Sequence, residues 1–240
     1  MKRMKFIMLL ICVAFTSCLK ILEGETLECS GPYIKTCHLG MGVNATLNTY
    51  SCMRYKSPST DAMAFNGEGA FMIAQESAEG VTLQLAIDGI KLTCADGEFY
   101  VNAYGAYGWN LGKPAEVRLA VFKGKVRVQN AGVDTTIADG AVAIFNDSVS
   151  TAINWQPKEL TYWVNQLYKV EQVPIYEFKA MLNRWFDVKA GVLSQNADSM
   201  LYNVRIQRDL PLAPQLKALE ENNDYLFTVF SADSITIRHK

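Results

Sequence analysis

Histidine is almost absent from this chain, which has only His38 and His239 among its 240 residues. His239 is the penultimate residue, and on a strand the side chain of His38 would point away from that of its neighbour Cys37. A Cys-His nucleophile pair is therefore not expected. The G-x-S-x-G, H-E-x-x-H, Walker and calcium-loop motifs are missing as well. We predict that the protein is not an enzyme, holds no metal or cofactor, and has no identifiable small-molecule substrate.

A surplus of charge of one sign is also missing. The chain has 23 Lys and Arg residues against 24 Asp and Glu residues, which gives a formal net charge of -1. A nucleic-acid partner requires a basic surface that neutralises phosphates, so none is predicted. Half of the residues are hydrophobic and 20% are charged, as is typical of a folded globular protein.

No apolar run is long enough to span a bilayer as a standard helix, which takes about 20 residues. The shorter run Phe6–Phe15 follows a basic start at residues 2–5 and leads into small residues before Cys18. This order is typical of a secretory signal peptide, which we assign to residues 1–17.

Cys18 directly follows Thr16 and Ser17, and this arrangement resembles the lipobox of bacterial lipoproteins. The resemblance implies that Cys18 carries lipid and becomes the new N-terminus. Several acyl chains on one residue would anchor the protein to a membrane without a transmembrane helix. Leu19 stands where an inner-membrane retention signal would have Asp, so the outer membrane is favoured. Simple secretion and an uncleaved anchor are the alternatives.

Four cysteines remain after Cys18, namely Cys29, Cys37, Cys52 and Cys94. Their spacing is irregular and contains no C-x-x-C, so a zinc site is not predicted. In an exported protein they could form two disulfides, in three possible connectivities. The alternative is that some of them are buried free thiols.

The first part of the chain has the alternating pattern of strands. Apolar residues alternate with polar or small ones over 81–87, 99–103, 117–121 and 126–128. Gly124 lies between the last two runs, which predicts a hairpin turn there. Short strands with regular turns predict a mainly β domain over residues 18–153, either a sandwich or a solenoid.

Four aromatic residues surround the glycines at 105–112, namely Tyr100, Tyr104, Tyr107 and Trp109. Exposed aromatic side chains on such a loop can stack on a sugar or hold a partner. We expect instead that Tyr100 and Tyr104 pack against neighbouring strands.

The pattern becomes helical near residue 157, and we interpret residues 154–172 as a linker that contains a helix. Pro174 then opens a second helix, whose apolar stripe consists of Ile175, Phe178, Met181, Leu182 and Trp185. Strands are predicted at 186–192, 201–206, 225–230 and 234–238, with a short helix at 214–219. This order predicts a small α+β domain over residues 173–240.

Several motifs appear in an order that is typical of one protein family. Gly-Glu-Gly-Ala-Phe at 67–71 resembles the Gly-Glu-Ala-x-Phe signature of FecR-type proteins, and residues 97–104 resemble their Gly-Thr-x-Phe-x-Val-x-Ala-Tyr stretch. Residues 117–128 resemble their paired strands around a Gly-x-Val turn. Leu-Asn-Arg-Trp-Phe-Asp-Val at 182–188 resembles the Leu-x-Arg-Trp-Tyr-x-Val of the secretin/TonB short N-terminal-like domain that often follows FecR domains. The resemblance covers most of residues 40–240.

The resemblance implies an extracytoplasmic sensor-regulator of nutrient uptake on the periplasmic side of a Gram-negative envelope. FecR-type proteins receive a signal from the signalling domain of a TonB-dependent transporter and act on a sigma factor. Only five residues precede the apolar run here, too few to bury a partner interface. We therefore predict a membrane-tethered adaptor whose partner is the transporter's signalling domain or a sigma-regulatory component. The alternative is a surface- or glycan-associated binding lipoprotein that uses the fold as a scaffold.

The last predicted strand is a candidate edge for docking, because the chain ends just after it. A partner strand can add to a sheet edge through main-chain hydrogen bonds. The residues assigned to this edge are Ser234, Ile235, Thr236, Ile237 and Arg238. The alternative is that these residues only close the sheet.

Overall fold

The computed structural model describes residues 26–40, 42–56, 62–74, 81–104, 116–145, 149–151, 157–193, 201–231 and 234–240. A mainly β body is followed by a small α+β part, which confirms the fold class predicted from the sequence. The assigned signal peptide, Cys18 and the glycine-rich stretch 105–112 lie outside the described residues. Within the described ranges, no helix is both long and apolar enough to cross a membrane.

The β body is one large, near-barrel sheet to which thirteen described strands belong. Neighbouring strands are antiparallel except for β5 and β7, which run parallel. The strands are β1 (Thr26–Cys29), β2 (Lys35–Gly40), β3 (Val43–Leu47), β4 (Cys52–Tyr55), β5 (Met63–Asn66), β6 (Glu68–Ile73), β7 (Leu83–Ile87), β8 (Ile90–Cys94), β9 (Gly97–Asn102), β10 (Val117–Asn130), β11 (Val133–Ala138), β12 (Val142–Phe145) and β13 (Val149–Thr151).

Strand β10 is continuous over fourteen residues, so the hairpin turn predicted at Gly124 is wrong. The first half of β10 pairs with β9 and β12, and its second half pairs with β8 and β11. Gly124 has a φ of +82°, and a side chain there would collide with the carbonyl oxygen of Asp96. The glycine therefore allows a bend and a close approach to β9 within one strand, rather than a turn between two strands.

The core of the body lies between its two layers of strands. Phe65, Phe71 and Phe99 meet there, with ring centroids 5.3 Å apart for Phe65 and Phe71 and 5.2 Å apart for Phe71 and Phe99. Each of the three side chains is at most 1% exposed. Alternation along the strands directs every second residue into this core, as the sequence pattern predicts.

The α+β part begins after a 3-10 helix at Pro157–Asn165. Strands β14 and β16 form a two-stranded antiparallel sheet, and β15, β18 and β17 form a three-stranded sheet in that order. Helix α1 carries the predicted apolar stripe, all five residues of which are buried. The elements are β14 (Leu167–Pro174), α1 (Ile175–Phe186), β15 (Lys189–Val192), β16 (Leu201–Gln207), α2 (Leu212–Asn222), β17 (Tyr225–Ser231) and β18 (Ser234–His239).

The segment 154–172, interpreted as a linker, contains the 3-10 helix and most of strand β14. Strand β14 was missed because its pairing with β16 is interrupted between Val170 and Val173, where Gln172 has a φ of +54°. This bulge breaks the period-two alternation by which a strand is recognised.

Strand β18 is not an edge strand, which corrects the assignment of Ser234, Ile235, Thr236, Ile237 and Arg238 as a docking edge. It pairs with β15 on one side and with β17 on the other. The parallel pairing with β15 places the last strand in the middle of its sheet. These residues therefore close the sheet, and the outer strands are β15 and β17.

The α+β part packs against the outer face of the body. Phe99 and Val101 of β9 point into the body's core, whereas Tyr100 between them points to the other face. Tyr100 belongs there to a second apolar cluster that includes Met181 and Leu182 of helix α1. The two parts therefore share one buried apolar cluster.

Candidate functional site at the joint between the two parts

A cleft of about 580 Å³, here called the joint cleft, lies where the α+β part meets the body. The body lines it from β6, β9, β10 and the residues that flank β3 and β10. The opposite wall consists of the 3-10 helix together with β14 and α1 of the α+β part. Much of its polar chemistry comes from Glu68, Tyr100, Arg118, Tyr168, Glu177 and Arg184.

Glu68 places a buried carboxyl group on the body side of the joint cleft, and it is only 8% exposed. Asn48 Nδ2 donates to its Oε2 at 2.5 Å, and Asn102 Nδ2 donates to its Oε1 at 3.3 Å. The Tyr100 hydroxyl also donates to Oε1. Burial raises the pKa of Glu68, while the Tyr100 hydrogen bond and the positive charge of Arg184 oppose the rise. The carboxyl group thus ties several strands of the body together beside the cleft.

Arg118 forms an ion pair across the joint. Its Nη2 donates to Glu177 Oε1 at 3.0 Å, and its Nε pairs with Glu116. Arg118 lies in β10 of the body, and Glu177 lies in the first turn of α1. At this position the helix dipole also stabilises the negative charge of the Glu177 carboxylate. The Arg118 and Glu177 side chains are 20% and 24% exposed, so water screens this pair only partly.

A second cationic contact crosses the joint at the other end of helix α1. The Arg184 guanidinium lies 4.2 Å from the ring centroid of Tyr104, which follows strand β9. Tyr104 is 3% exposed, and both Tyr100 and Tyr104 are buried as the sequence predicts. Arg184 Nε is buried without a hydrogen-bond partner in the described part of the chain. The stacking on Tyr104 is therefore a principal interaction of this guanidinium.

Further contacts hold the α+β part to the loops of the body. The Tyr50 hydroxyl donates to Asp187 Oδ1 at 3.4 Å, and Arg208 Nη2 donates to the carbonyl oxygen of Pro32. The Arg208 guanidinium also lies 5.9 Å from the ring centroid of Trp185. Together with the contacts of Arg118 and Arg184, these interactions tie both ends of helix α1 to the body.

Two tyrosine hydroxyls at the joint cleft have no hydrogen-bond partner among the described residues. They belong to Tyr162 in the 3-10 helix and Tyr168 in β14, and both residues are half-buried. The Tyr168 ring meets Trp185 edge-on, with centroids 5.9 Å apart. Burial raises the pKa of Tyr168, and the negative charge of Glu177 adds to the rise. The phenol of Tyr168 therefore acts as a neutral hydrogen-bonding group in the cleft.

The cysteines lie away from the joint cleft. Cys29 and Cys52 form a disulfide that joins β1 to β4, where the two residues are paired directly. Cys37 and Cys94 are buried free thiols, and their strands β2 and β8 are not neighbours in the sheet. Burial raises the pKa of Cys94 to about 11, which makes this thiol a poor nucleophile. Within the described ranges, no group of three or more His, Cys, Asp or Glu side chains could hold a metal ion.

The joint cleft was not predicted, although its residues come from the motifs that resemble FecR-type proteins. Glu68 lies in the motif at 67–71, Tyr100 in the stretch 97–104, and Arg184 in the motif at 182–188. A charged residue in an otherwise apolar strand is the signal that could have indicated the cleft. No pattern in the sequence shows that residues so far apart meet.

Comparison with known proteins shows similarity at the level of the fold. No protein-family model and no curated protein matches the chain. Two crystal structures described as a "putative anti-sigma factor" from Parabacteroides distasonis, at 2.50 and 1.65 Å resolution, are similar to it with a TM-score of 0.74 each. Their sequence identity to this chain is 16% and 17%, and the match covers 90% of this chain and 99% of each of theirs. The shared fold therefore includes both the β body and the α+β part.

Proposed function

We propose that the protein is a sigma-regulatory signalling protein of the cell envelope. The observation that carries the proposal is the fold that it shares, across both parts, with the anti-sigma-like structures of Parabacteroides distasonis. In this proposal, lipid on Cys18 tethers the protein on the periplasmic side of the outer membrane. The α+β part receives the signalling domain of a TonB-dependent transporter, as the FecR-like motifs imply.

In this proposal, the contacts at the joint transmit a conformational change from a partner bound to the α+β part to the β body. A partner on the α+β part would act on helix α1, which is tied to the body through Glu177 near its start and Arg184 near its end. The two parts also share a buried apolar cluster, so that a shift of α1 changes contacts in the body. A two-part module with such a joint can couple a binding event to the tethered body.

Strand β17 is the candidate docking edge in place of β18. It is an outer strand of its sheet, and all seven of its residues are uncharged. Exposed edges are usually blocked by charges or proline, whereas β17 exposes Val229 by 49% and Phe230 by 68%. The Phe227 N–H donates to Glu220 Oε1 at 2.6 Å, which covers the first half of the edge. Thr228, Val229 and Phe230 in the second half are exposed and can receive a partner strand.

The test is direct binding between purified proteins. The full mature chain is immobilised and exposed in turn to the purified signalling domain of each TonB-dependent transporter of the source organism. We expect one domain to bind, and a Val229→Lys/Phe230→Lys double variant to lose at least tenfold in affinity, because the charges block strand addition. Tyr33→Lys, at a residue of the body that is 73% exposed, is the control and should bind normally. If no signalling domain binds the wild-type protein, the proposed partner is wrong.

A further inference from the structure

We propose that the joint cleft binds a neutral, hydroxyl-rich small molecule, namely a saccharide of one or two rings. The cleft volume of about 580 Å³ lies within the range of roughly 300–1,000 Å³ that is typical of small-molecule sites. This site is separate from strand β17, so the proposal goes beyond the protein partner discussed above.

The first argument is the unmet hydrogen bonding of the cleft wall. The hydroxyls of Tyr162 and Tyr168 have no partner among the described residues, and each can both donate and accept a hydrogen bond. Both residues are half-buried, so these hydroxyls are available to water or to a ligand. Tyr168 lines the same cleft as Glu68, Arg118, Glu177 and Arg184, and the charges of these four residues act on its hydroxyl.

The second argument excludes an anionic ligand. Arg118 is already paired with Glu116 and Glu177, and Arg184 lies over Tyr104. An anion would have to break these contacts, and it would also lie close to the negative charges of Glu116 and Glu177. Glu171 at the exposed rim would add a further negative charge. The cost of separating partly buried ion pairs disfavours such a ligand.

The third argument excludes a cationic ligand held by the aromatic rings. Cations of the protein itself already lie over three of these rings. Lys169 Nζ is 5.9 Å from the centroid of Tyr162, and Arg208 and Arg184 lie over Trp185 and Tyr104. A ligand cation would compete with groups that are held in place by the chain.

A purely apolar ligand is excluded by the same wall. It would remove the hydroxyls of Tyr162 and Tyr168 from water without offering them a hydrogen bond, which is costly. A saccharide is uncharged and offers both hydroxyl groups for hydrogen bonds and apolar C–H faces for packing. Its C–H faces can pack on the half-buried ring of Tyr168, and its hydroxyls can bond to the two phenols and to Asn102. The bound sugar would contact both parts of the protein and stabilise their arrangement.

The test uses the full mature chain and named sugars. Saturation-transfer NMR and thermal-shift assays are run with glucose, galactose, mannose, N-acetylglucosamine, maltose, cellobiose and lactose, with glucuronate and choline as charged comparators. A Tyr162→Phe/Tyr168→Phe double variant removes the two unpartnered hydroxyls and keeps both rings. Tyr33→Phe removes one exposed hydroxyl outside the cleft and is the matched control. Circular dichroism establishes that each variant is folded.

We expect at least one neutral sugar to bind, the double variant to lose about tenfold in affinity, and the Tyr33→Phe control to bind like the wild-type protein. The proposal is overturned if no neutral sugar binds or if a charged comparator binds more tightly than all of them. It is equally overturned if the double variant binds as well as the wild type, because the sugar would then lie elsewhere. No partner protein is present in this assay, so its outcome is independent of the proposed signalling function.

Discussion

The guanidinium of Arg184 on helix α1 lies 4.2 Å from the ring centroid of Tyr104 in the β body. This stacked pair sits beside a buried apolar cluster to which both parts contribute. The two parts of the chain are therefore joined by polar and apolar contacts together.

The joint should make the two parts unfold together. We expect a single denaturation transition, monitored by tryptophan fluorescence and far-UV circular dichroism. Arg184→Ala should lower the free energy of unfolding by about 1–2 kcal/mol, because it removes a largely desolvated cation–π contact. Arg205→Ala, at an exposed position of β16, is the matched control and should change it by less than about 0.5 kcal/mol. Two separate transitions, with Arg184→Ala affecting neither, would contradict this account of the joint.

The buried carboxyl group of Glu68 should make stability depend on pH. Its folded pKa is raised above the ordinary value of 4.5, mainly by burial, so the folded protein keeps this proton to higher pH than the unfolded chain does. The stability that Glu68 contributes is thus complete below the unfolded pKa and is lost as the pH rises through the folded pKa. We expect the melting temperature of the wild type, relative to that of Glu68→Gln, to fall as the pH rises above the ordinary carboxyl pKa of 4.5. A difference that stays constant with pH would show that folding does not raise the pKa of Glu68.

The disulfide should stabilise the start of the β body. Cys29 and Cys52 are separated by 23 residues, and closing a loop of this length is worth about 3 kcal/mol in the chain-entropy account. A Cys29→Ser/Cys52→Ser variant should lose stability of that order in urea denaturation. In unfolded, unreduced protein, Cys37 and Cys94 should react with Ellman's reagent, whereas Cys29 and Cys52 should react only after reduction. Reaction of all four thiols before reduction would rule out the bond.

The lipid anchor is tested by metabolic labelling. Labelled palmitate should be incorporated into the wild-type protein through Cys18, and Cys18→Ala should move the protein from the membrane fraction to the soluble periplasmic fraction. The Cys94→Ala variant, which removes a cysteine of the folded body, should keep its label. If the wild-type protein incorporates no labelled palmitate, the proposed lipidation of Cys18 is wrong.

Local patterns predicted much of the α+β part. The stripe from Ile175 to Trp185 predicted helix α1 because five apolar residues at helical spacing could be buried on one face only. The hairpin at Gly124 was wrong because glycine permits a close approach between strands as readily as a turn. The strand order could not be predicted from local patterns either. Strand β18 lies between β15 and β17 through a parallel pairing with β15, which depends on how the whole chain folds.

The joint cleft could not be predicted, for a similar reason. Glu68 and Arg118 of the body come close to Tyr168 and Arg184 of the α+β part only after both parts have folded. Each residue has an ordinary local explanation as a strand or helix position. Their common role depends on contacts between residues that are far apart in sequence, which periodicity does not encode.

The central claim, that this is a signalling protein which receives a transporter's signalling domain at strand β17, is tested most directly by hydrogen exchange on the complex. The full mature chain is mixed with the signalling domain that it captures, and amide exchange is compared with that of the free protein. The account predicts new protection of the main-chain amide of Val229, with little change at the already paired Ile235. Protection confined to the β body, with unchanged exchange along β17, would contradict it.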